Sequence, residues 1–296
     1  MSHHNEKENK KPEGEGKAQT LTPALYLVAT PIGNLRDITL RALDTLRGVD
    51  KIACEDTRVT GKLLGAYDIS KPTLSYNDHS DERKRISILN EIEGGKSIAL
   101  VSDAGSPLIS DPGYKLVRDA LARGLKVTSI PGACAVVMGL QLSGLPSDSF
   151  SFIGFLPNKQ KARKDHLQEW AGVQSTLVAY ETGPRLLSSL MDIQDVYGDR
   201  KICVARELTK MYEESKIGAV SSLIDYYEKN GAPRGEIVLI IAGATDEIWD
   251  DGKVQTKLIE ALKTMKTKDA ANYVAEMSGR SKKDTYDMAL SLPKGR

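Results

Sequence analysis

What the chain lacks narrows it first. No apolar run among its 296 residues approaches the roughly 18 to 20 needed to span a membrane. The N-terminus shows no secretory signal pattern, so a soluble, cytoplasmic protein is expected. Cysteine is scarce: Cys54, Cys134 and Cys203 are far apart, each in or beside an apolar stretch, and their spacing suits no metal centre. They read as reduced core or pocket-lining residues. No Gly-x-Gly-x-x-Gly follows the first apolar strand and no P-loop lysine motif is present, so neither dinucleotide nor phosphate binding of those types is indicated. A formal net charge of +1 excludes a polycation that wraps nucleic acid along its whole length.

What is present is an alternating α/β pattern. Residues 1–21 are polar and rich in Lys, Glu and Gly, and read as a disordered tail in which His3 and His4 are incidental. Strands are expected at Leu25 to Ala29, Lys51 to Cys54, Thr73 to Tyr76, Ser97 to Val101 and Lys126 to Ile130, with helices between them. Repeated βα units imply a parallel sheet covered on both faces. A turn-rich stretch, Ser143 to Ser149, separates this first α/β domain, 22–145, from a second, 146–245. The second has strands at Phe150 to Gly154, Thr176 to Tyr180, Lys201 to Ala205 and Glu236 to Ala242. Helices are expected at about Lys161 to Gly172 and Pro184 to Tyr197.

Residues 250–296 form a helical appendage. A helix at Asp269 to Met277, a turn at Ser278 to Ser281 and a helix at Lys282 to Leu290 resemble a helix-turn-helix, with Ser281 able to cap the second helix. Val274, Met277, Tyr286 and Leu290 read as packing residues, while Arg280, Lys282 and Lys283 face outward. Residues 253–296 hold ten Lys/Arg against five Asp/Glu, a local +5 that leaves −4 elsewhere. A second basic cluster is Lys159, Lys161, Arg163 and Lys164. Both clusters suit phosphate contact; the commoner fate of such a run is a solvated face.

The chemistry concentrates at strand ends, where parallel α/β sheets bind ligands. The run Ser102-Asp103-Ala104-Gly105-Ser106-Pro107-Leu108-Ile109-Ser110-Asp111-Pro112-Gly113 follows an apolar strand and combines acids with Gly and Pro. Asp103 is placed to accept hydrogen bonds from a ligand hydroxyl or amine, or to cap the helix beginning near Tyr114. Three more strand ends carry turn formers, small residues or charge: Pro31-Ile32-Gly33-Asn34, Glu55-Asp56-Thr57-Arg58 and Pro131-Gly132-Ala133-Cys134-Ala135.

Together with Phe152-Ile153-Gly154-Phe155-Leu156-Pro157 and Ala205-Arg206-Glu207-Leu208-Thr209-Lys210, these strings resemble the tetrapyrrole methylase superfamily of S-adenosylmethionine enzymes, over about residues 24–292. Within it they are closest to the branch acting on small-subunit ribosomal RNA. The resemblance implies two α/β domains, an N-terminal parallel sheet and a C-terminal mixed sheet, with S-adenosyl-L-methionine in the cleft between them. It implies cofactor contacts at Pro31, Ser102, Asp103, Ala104, Gly105, Ser106, Cys134 and Ala135, and at backbone near Glu181 and Leu208. It also implies a homodimer, and 2′-O-ribose methylation of a cytidine in the decoding region of 16S ribosomal RNA, free or in the 30S subunit.

For that reaction Glu55 and Asp56 are candidate bases, Arg58 and Arg206 candidate phosphate holders, and Glu207 with Lys210 a second polar pair. Arg206 and Glu207 alternatively form a structural ion pair. Asp56, Asp103 and Asp111 are the acids that a magnesium site would use, but no spacing demands one and no metal is expected. Two departures from the family pattern stand out. Asn77-Asp78-His79 replaces a His-Asn-Glu run, and Thr182-Gly183-Pro184 occupies the place of a Ser and a His between Glu181 and Arg185. Alternative functions are a tetrapyrrole C-methyltransferase, disfavoured by the Pro-Ile-Gly-Asn turn, and a nonenzymatic RNA-binding assembly factor.

Overall fold

The structure, a computed structural model, describes residues 21–77, 82–244, 251–278 and 280–292. The tail with His3 and His4, and the loop residue His79, lie outside the described residues. The chain opens with β1 (Ala24–Val28), α1 (Leu40–Gly48), β2 (Lys51–Cys54), α2 (Thr57–Ala66), β3 (Thr73–Ser75), α3 (Glu82–Glu93), β4 (Ser97–Val101), α4 (Tyr114–Ala122) and β5 (Val127–Ile130). These strands form a parallel sheet in the order β3-β2-β4-β1-β5.

Successive strand residues point to opposite faces, so strands that are apolar at consecutive positions must be covered on both. On one face Tyr26, Val28, Ile52 and Ala99 meet Leu43 and Leu46 of α1 and Leu64 of α2. On the other Leu25, Ala53, Ile98 and Leu100 meet Ile88, Leu89 and Ile92 of α3 and Leu116 of α4. All the strand carboxyl ends therefore open on one edge. The sequence places the binding loops there.

A second sheet follows, built from β6 (Phe150–Phe155), β7 (Thr176–Thr182), β8 (Lys201–Arg206), β9 (Glu214–Ala219) and β10 (Glu236–Ile241) in the order β6-β7-β10-β8-β9. Only the β6–β7 pair is parallel, so the sheet is mixed. Helices α6 (Gln160–Glu169), α7 (Leu186–Tyr197) and α8 (Val220–Asn230) accompany it. Leu167, Leu190, Ile193 and Leu223 from these helices bury the face presented by Leu177, Ala179, Val204 and Leu239. β9 and α8 were not anticipated from sequence. The helix expected from Pro184 starts with a 3-10 turn, Gly183–Arg185, before α7; proline has no N–H to lose there.

The opposite face is covered by α5 (Ala135–Ser143), which directly follows the last strand of the first sheet. Val136 and Leu140 pack on Val178, Cys203, Ala205, Val238 and Ile240. Gly139 lets the helix sit close: a Cβ there would lie 2.9 Å from Val238 Cγ1. α5 thus ties the Pro131–Cys134 turn rigidly to the second sheet. That places one strand-end loop of the first sheet against the other half of the molecule.

The chain ends in α9 (Asp251–Leu262), α10 (Thr267–Ser278) and α11 (Lys282–Ser291), held by Val254, Leu258, Ala270, Ala271, Val274 and Ala289. Ser281 caps α11, accepting a hydrogen bond from Asp284 N at 3.0 Å. Tyr286 and Leu290, expected inside, are 38% and 55% exposed, because Thr285 and Ala289 occupy the inward stripe of α11. The Met277 side chain is outside the described residues. Among the described residues no helix is long and apolar enough to cross a membrane.

Candidate active site

The strand-end loops of both halves surround one cleft of about 280 Å³. The loop after β4 is fixed first. Thr30 and Gly105 exchange backbone hydrogen bonds of 2.9 and 3.1 Å, the Thr30 hydroxyl donates to Ser102 O, and the Ser102 hydroxyl donates to Gly105 O at 3.1 Å. Asp56 N donates to Asp103 Oδ1 at 3.2 Å, linking the β2 and β4 ends. The Ser106 hydroxyl reaches Ala133 O in the turn before α5. Leu108 and Ser110 have φ of 73° and 63°, a conformation that costs a side-chain-bearing residue about 1 kcal/mol or more. Gly113 has φ 131° and its Cβ would lie 2.6 Å from Leu100, so this bend requires glycine. Gly113 also occupies the N-cap position of α4 with no side-chain cap, so Asp103 does not serve that helix.

From the other half, the segment after β8 reaches over. Glu207 and Thr209 have φ of 51° and 67°, and Lys210 Nζ pairs with Glu207 Oε1 at 3.0 Å. The Lys210 stem lies on the turn after β1, where a Cβ on Gly33 would be 2.7 Å from Lys210 Cγ. Phe155, Tyr180, Leu208, Ile237 and Val238 supply the apolar wall, opposite Ile32 and Ile109. Phe152 and Phe155 pack on Tyr180 with ring centroids 5.0 and 5.1 Å apart.

Six carboxylates line the cleft, from Glu55, Asp103, Asp111, Glu181, Glu207 and Glu236, against one lysine, Lys210. Glu181 is completely buried and fully engaged: it accepts from Thr182 N and the Ser189 hydroxyl and pairs with Arg185 Nη2. This ion pair uses the two residues that flank the departure from the family pattern. Asp111 is pushed up to about 6, first by burial, then by the charges of Glu55, Asp103 and Glu236, against a hydrogen bond from Ser102. Burial also raises the Tyr180 phenol.

Of the residues expected to bind cofactor, Asp103, Ala104, Gly105, Ser106, Cys134, Ala135, Glu181 and Leu208 line this cleft, whereas Pro31 and Ser102 do not. Ser102 is buried behind the loop it braces. Of the expected catalytic residues, Glu55, Glu207 and Lys210 line the cleft; Asp56 and Arg58 do not. Asp56 caps α2 and binds Arg58 at 2.6 Å, and that contact lowers its pKa to about 2. A carboxylate held that acidic is a poor base, and Asp56 lies outside the cleft lining. Arg206 pairs with Glu214 across the β8–β9 ladder at 2.7 Å.

The basic cluster is also corrected. Lys159 and Lys161 are exposed, but Arg163 is buried and its guanidinium is locked on Asp192 at 2.6 Å, so it is unavailable to phosphates. Lys164 binds Asp195 at 2.7 Å. Arg280 contacts Asp251 at 2.6 Å, and Lys282 and Lys283 are exposed. Among the described residues no group of three or more His, Cys, Asp or Glu is arranged to hold a metal ion. Asp111, read from sequence only as a possible magnesium ligand, lines the cleft, as do Ile32, Phe155, Tyr180 and Glu236, whose approach depends on how the two halves meet.

Residues 24–224 match the family described as Tetrapyrrole (Corrin/Porphyrin) Methylases. The fold is shared with a uroporphyrin-III-C-methyltransferase from Thermus thermophilus, at TM-score 0.52 and 17% identity over 74% of this chain and 93% of that one. A diphthine synthase gives TM-score 0.54 at 14% identity, over 74% of this chain and 89% of that one. Two α/β halves built on one sheet each are thus the fold of the tetrapyrrole methylase class. Residues 249–293 match a separate family, the RsmI C-terminal HTH domain. Ribosomal RNA small subunit methyltransferase I from Erythrobacter litoralis is 54% identical over 275 residues, 93% of this chain and 97% of that protein. Its namesake from Vibrio cholerae is 48% identical over 273 residues, 90% and 94% respectively. The chain belongs to the ribosomal RNA small subunit methyltransferase I family.

Proposed function

We propose that this protein transfers a methyl group from S-adenosyl-L-methionine to small-subunit ribosomal RNA, at the ribose 2′-oxygen of a cytidine in the decoding region. The observation that carries this reading is the excess of carboxylates over cations in the cleft, within a chain of this family. S-adenosyl-L-methionine carries a sulfonium and an ammonium, so an acidic lining with an apolar wall fits its donor requirements. Asp103, with the backbone of the Ala104–Ser106 turn and of Cys134, Ala135 and Leu208, would hold it. When bound, the cofactor supplies an electrophilic methyl carbon.

The chain's own part is positioning and water exclusion, which is most of what such a displacement needs. The braced loop after β4 and the α5 turn fix one wall, and Phe155, Tyr180 and Val238 dry the other. The acidic lining favours a sulfonium over the uncharged thioether left after transfer, so it promotes exchange of product for fresh cofactor. The RNA phosphates stay outside, at Lys159, Lys161, Lys282 and Lys283, with only one nucleoside entering. A tetrapyrrole macrocycle bearing many carboxylates would meet like charge in this cleft. We further propose a homodimer acting in the cytoplasm on RNA or on the 30S subunit.

The test uses methyl-tritiated cofactor with naked 16S RNA, with 30S subunits and with uroporphyrinogen. Label in RNA or subunits, and none in the macrocycle, is expected. The reverse pattern would refute the proposal.

A further inference from the structure

Methylation of an RNA hydroxyl needs a group to receive its proton, and the carboxylates around the cleft are not equivalent. Glu181 is consumed by Arg185, Ser189 and Thr182 N. Glu207 is paired with Lys210, the one cation of the lining. Asp103 is tied to Asp56 N. Glu55 and Glu236 are exposed to water.

Asp111 differs from all of these. It is half-buried and faces the cleft, and among the described residues no cation pairs with it. It is carried on the bent segment between Ser110 (φ 63°) and Gly113 (φ 131°), beside β6 of the other half, where a Cβ on Gly154 would lie 3.9 Å from Ser110 Oγ.

We infer that Asp111 is the general base of the reaction, taking the proton of the acceptor hydroxyl as the methyl group is transferred. This rests on the RNA-methylation reading. The hydroxyl oxygen forms its bond to the methyl carbon as the carbon–sulfur bond breaks, with that electron pair going to sulfur. The O–H pair stays on oxygen and the proton passes to the Asp111 carboxylate, to be shed to solvent after product leaves.

The groups facing Asp111 are Ser102 and Asp103 of its own loop, Glu55 from the end of β2, Glu236 of β10 and Tyr180 of β7. All are neutral or acidic. Burial first, then the charges of Glu55, Asp103 and Glu236, raises its pKa to about 6, near neutrality, where a base combines proton affinity with a large ionised fraction.

The experiment compares wild type with Asp111→Asn and Asp111→Glu. It measures single-turnover methyl transfer at saturating cofactor from pH 5 to 9, and cofactor binding by calorimetry. In wild type the rate should rise with pH through an ionisation near 6. Asp111→Asn should lose about a hundredfold or more in rate together with that ionisation, while the cofactor Kd stays within about threefold. Asp111→Glu should recover part of the rate. A carbon-13 titration of the labelled aspartates should show one carboxyl titrating near 6 in wild type and absent from Asp111→Asn. Asp111→Asn transferring within about threefold of wild type, or losing cofactor affinity in parallel with rate, overturns the assignment and leaves the parent reading standing. Wild type that binds cofactor yet methylates no ribosomal RNA overturns both.

Discussion

Replacing Asp192 by alanine should unfold this protein more readily than any single change at its surface. Asp192 sits on α7 with 1% of its side chain exposed, and Arg163 on α6 is exposed by 4%; their closest contact is 2.6 Å. Arg163 Nε donates to Asp192 Oδ2 at 2.8 Å, Gln160 donates to Oδ1 at 3.0 Å, and Lys164 approaches at 3.5 Å. Without the carboxylate, the guanidinium keeps only the carbonyls of Pro157 and Asn158, at 3.2 and 3.3 Å. Carbonyl dipoles do not neutralise a buried cation, so the loss should be about 3 to 5 kcal/mol. With about 2 to 4 °C per kcal/mol for chains of 150 to 250 residues, Tm should fall by about 6 to 20 °C.

The assay is urea and thermal unfolding followed by circular dichroism. An apolar replacement of both partners, Arg163→Met with Asp192→Leu, should recover most of the loss, since it removes the desolvation cost along with the attraction. At temperatures where Asp192→Ala is folded, its affinity for RNA should equal wild type. A loss below about 1 kcal/mol, or a double variant as unstable as the single one, would refute the reasoning.

Three further expectations follow from the cleft and its supports. Asp103→Ala should weaken cofactor binding about 10- to 100-fold, the worth of a hydrogen bond to a charged group, with Tm nearly unchanged by scanning calorimetry. Equal affinity would remove Asp103 from the site. Gly139→Val should cost about 1 to 3 kcal/mol by overpacking α5 against Val238 and Ile240, measured as a shift in the urea midpoint. Asp111 has a folded pKa near 6, above its unfolded value, so its ionisation destabilises the fold as pH rises from about 4 through 6. Asp111→Asn should therefore melt higher than wild type at pH 8 and equally at pH 4; a constant difference across that range would contradict the sign.

Much of this was legible in the sequence, for physical reasons specific to each element. β2 and β4 are covered on both faces and read as continuous apolar runs, so their bounds emerged directly. β9, Glu-Ser-Lys-Ile-Gly-Ala, lies at the sheet edge and pairs only with β8; its mostly polar string carries no such signal. The loops at Asp103–Ser106 and Cys134–Ala135 were legible because small and acidic residues at strand ends mark ligand sites in this architecture. Arg163 was misread because a basic string looks solvated until its partner is known, and Asp192 lies 29 residues away on another helix. Asp111 was overlooked as a base for a similar reason. Its chemistry comes from burial and from Glu55 and Glu236, which only the tertiary fold brings near it.

The central claim is tested most directly by mapping where the methyl goes. Small subunits lacking their own methylation would be incubated with labelled S-adenosyl-L-methionine and the protein, then digested and analysed by mass spectrometry. The account predicts label in a single 2′-O-methylcytidine of the decoding region. Label on a base, on a nucleotide outside that region, or on no nucleotide while cofactor remains bound would contradict it.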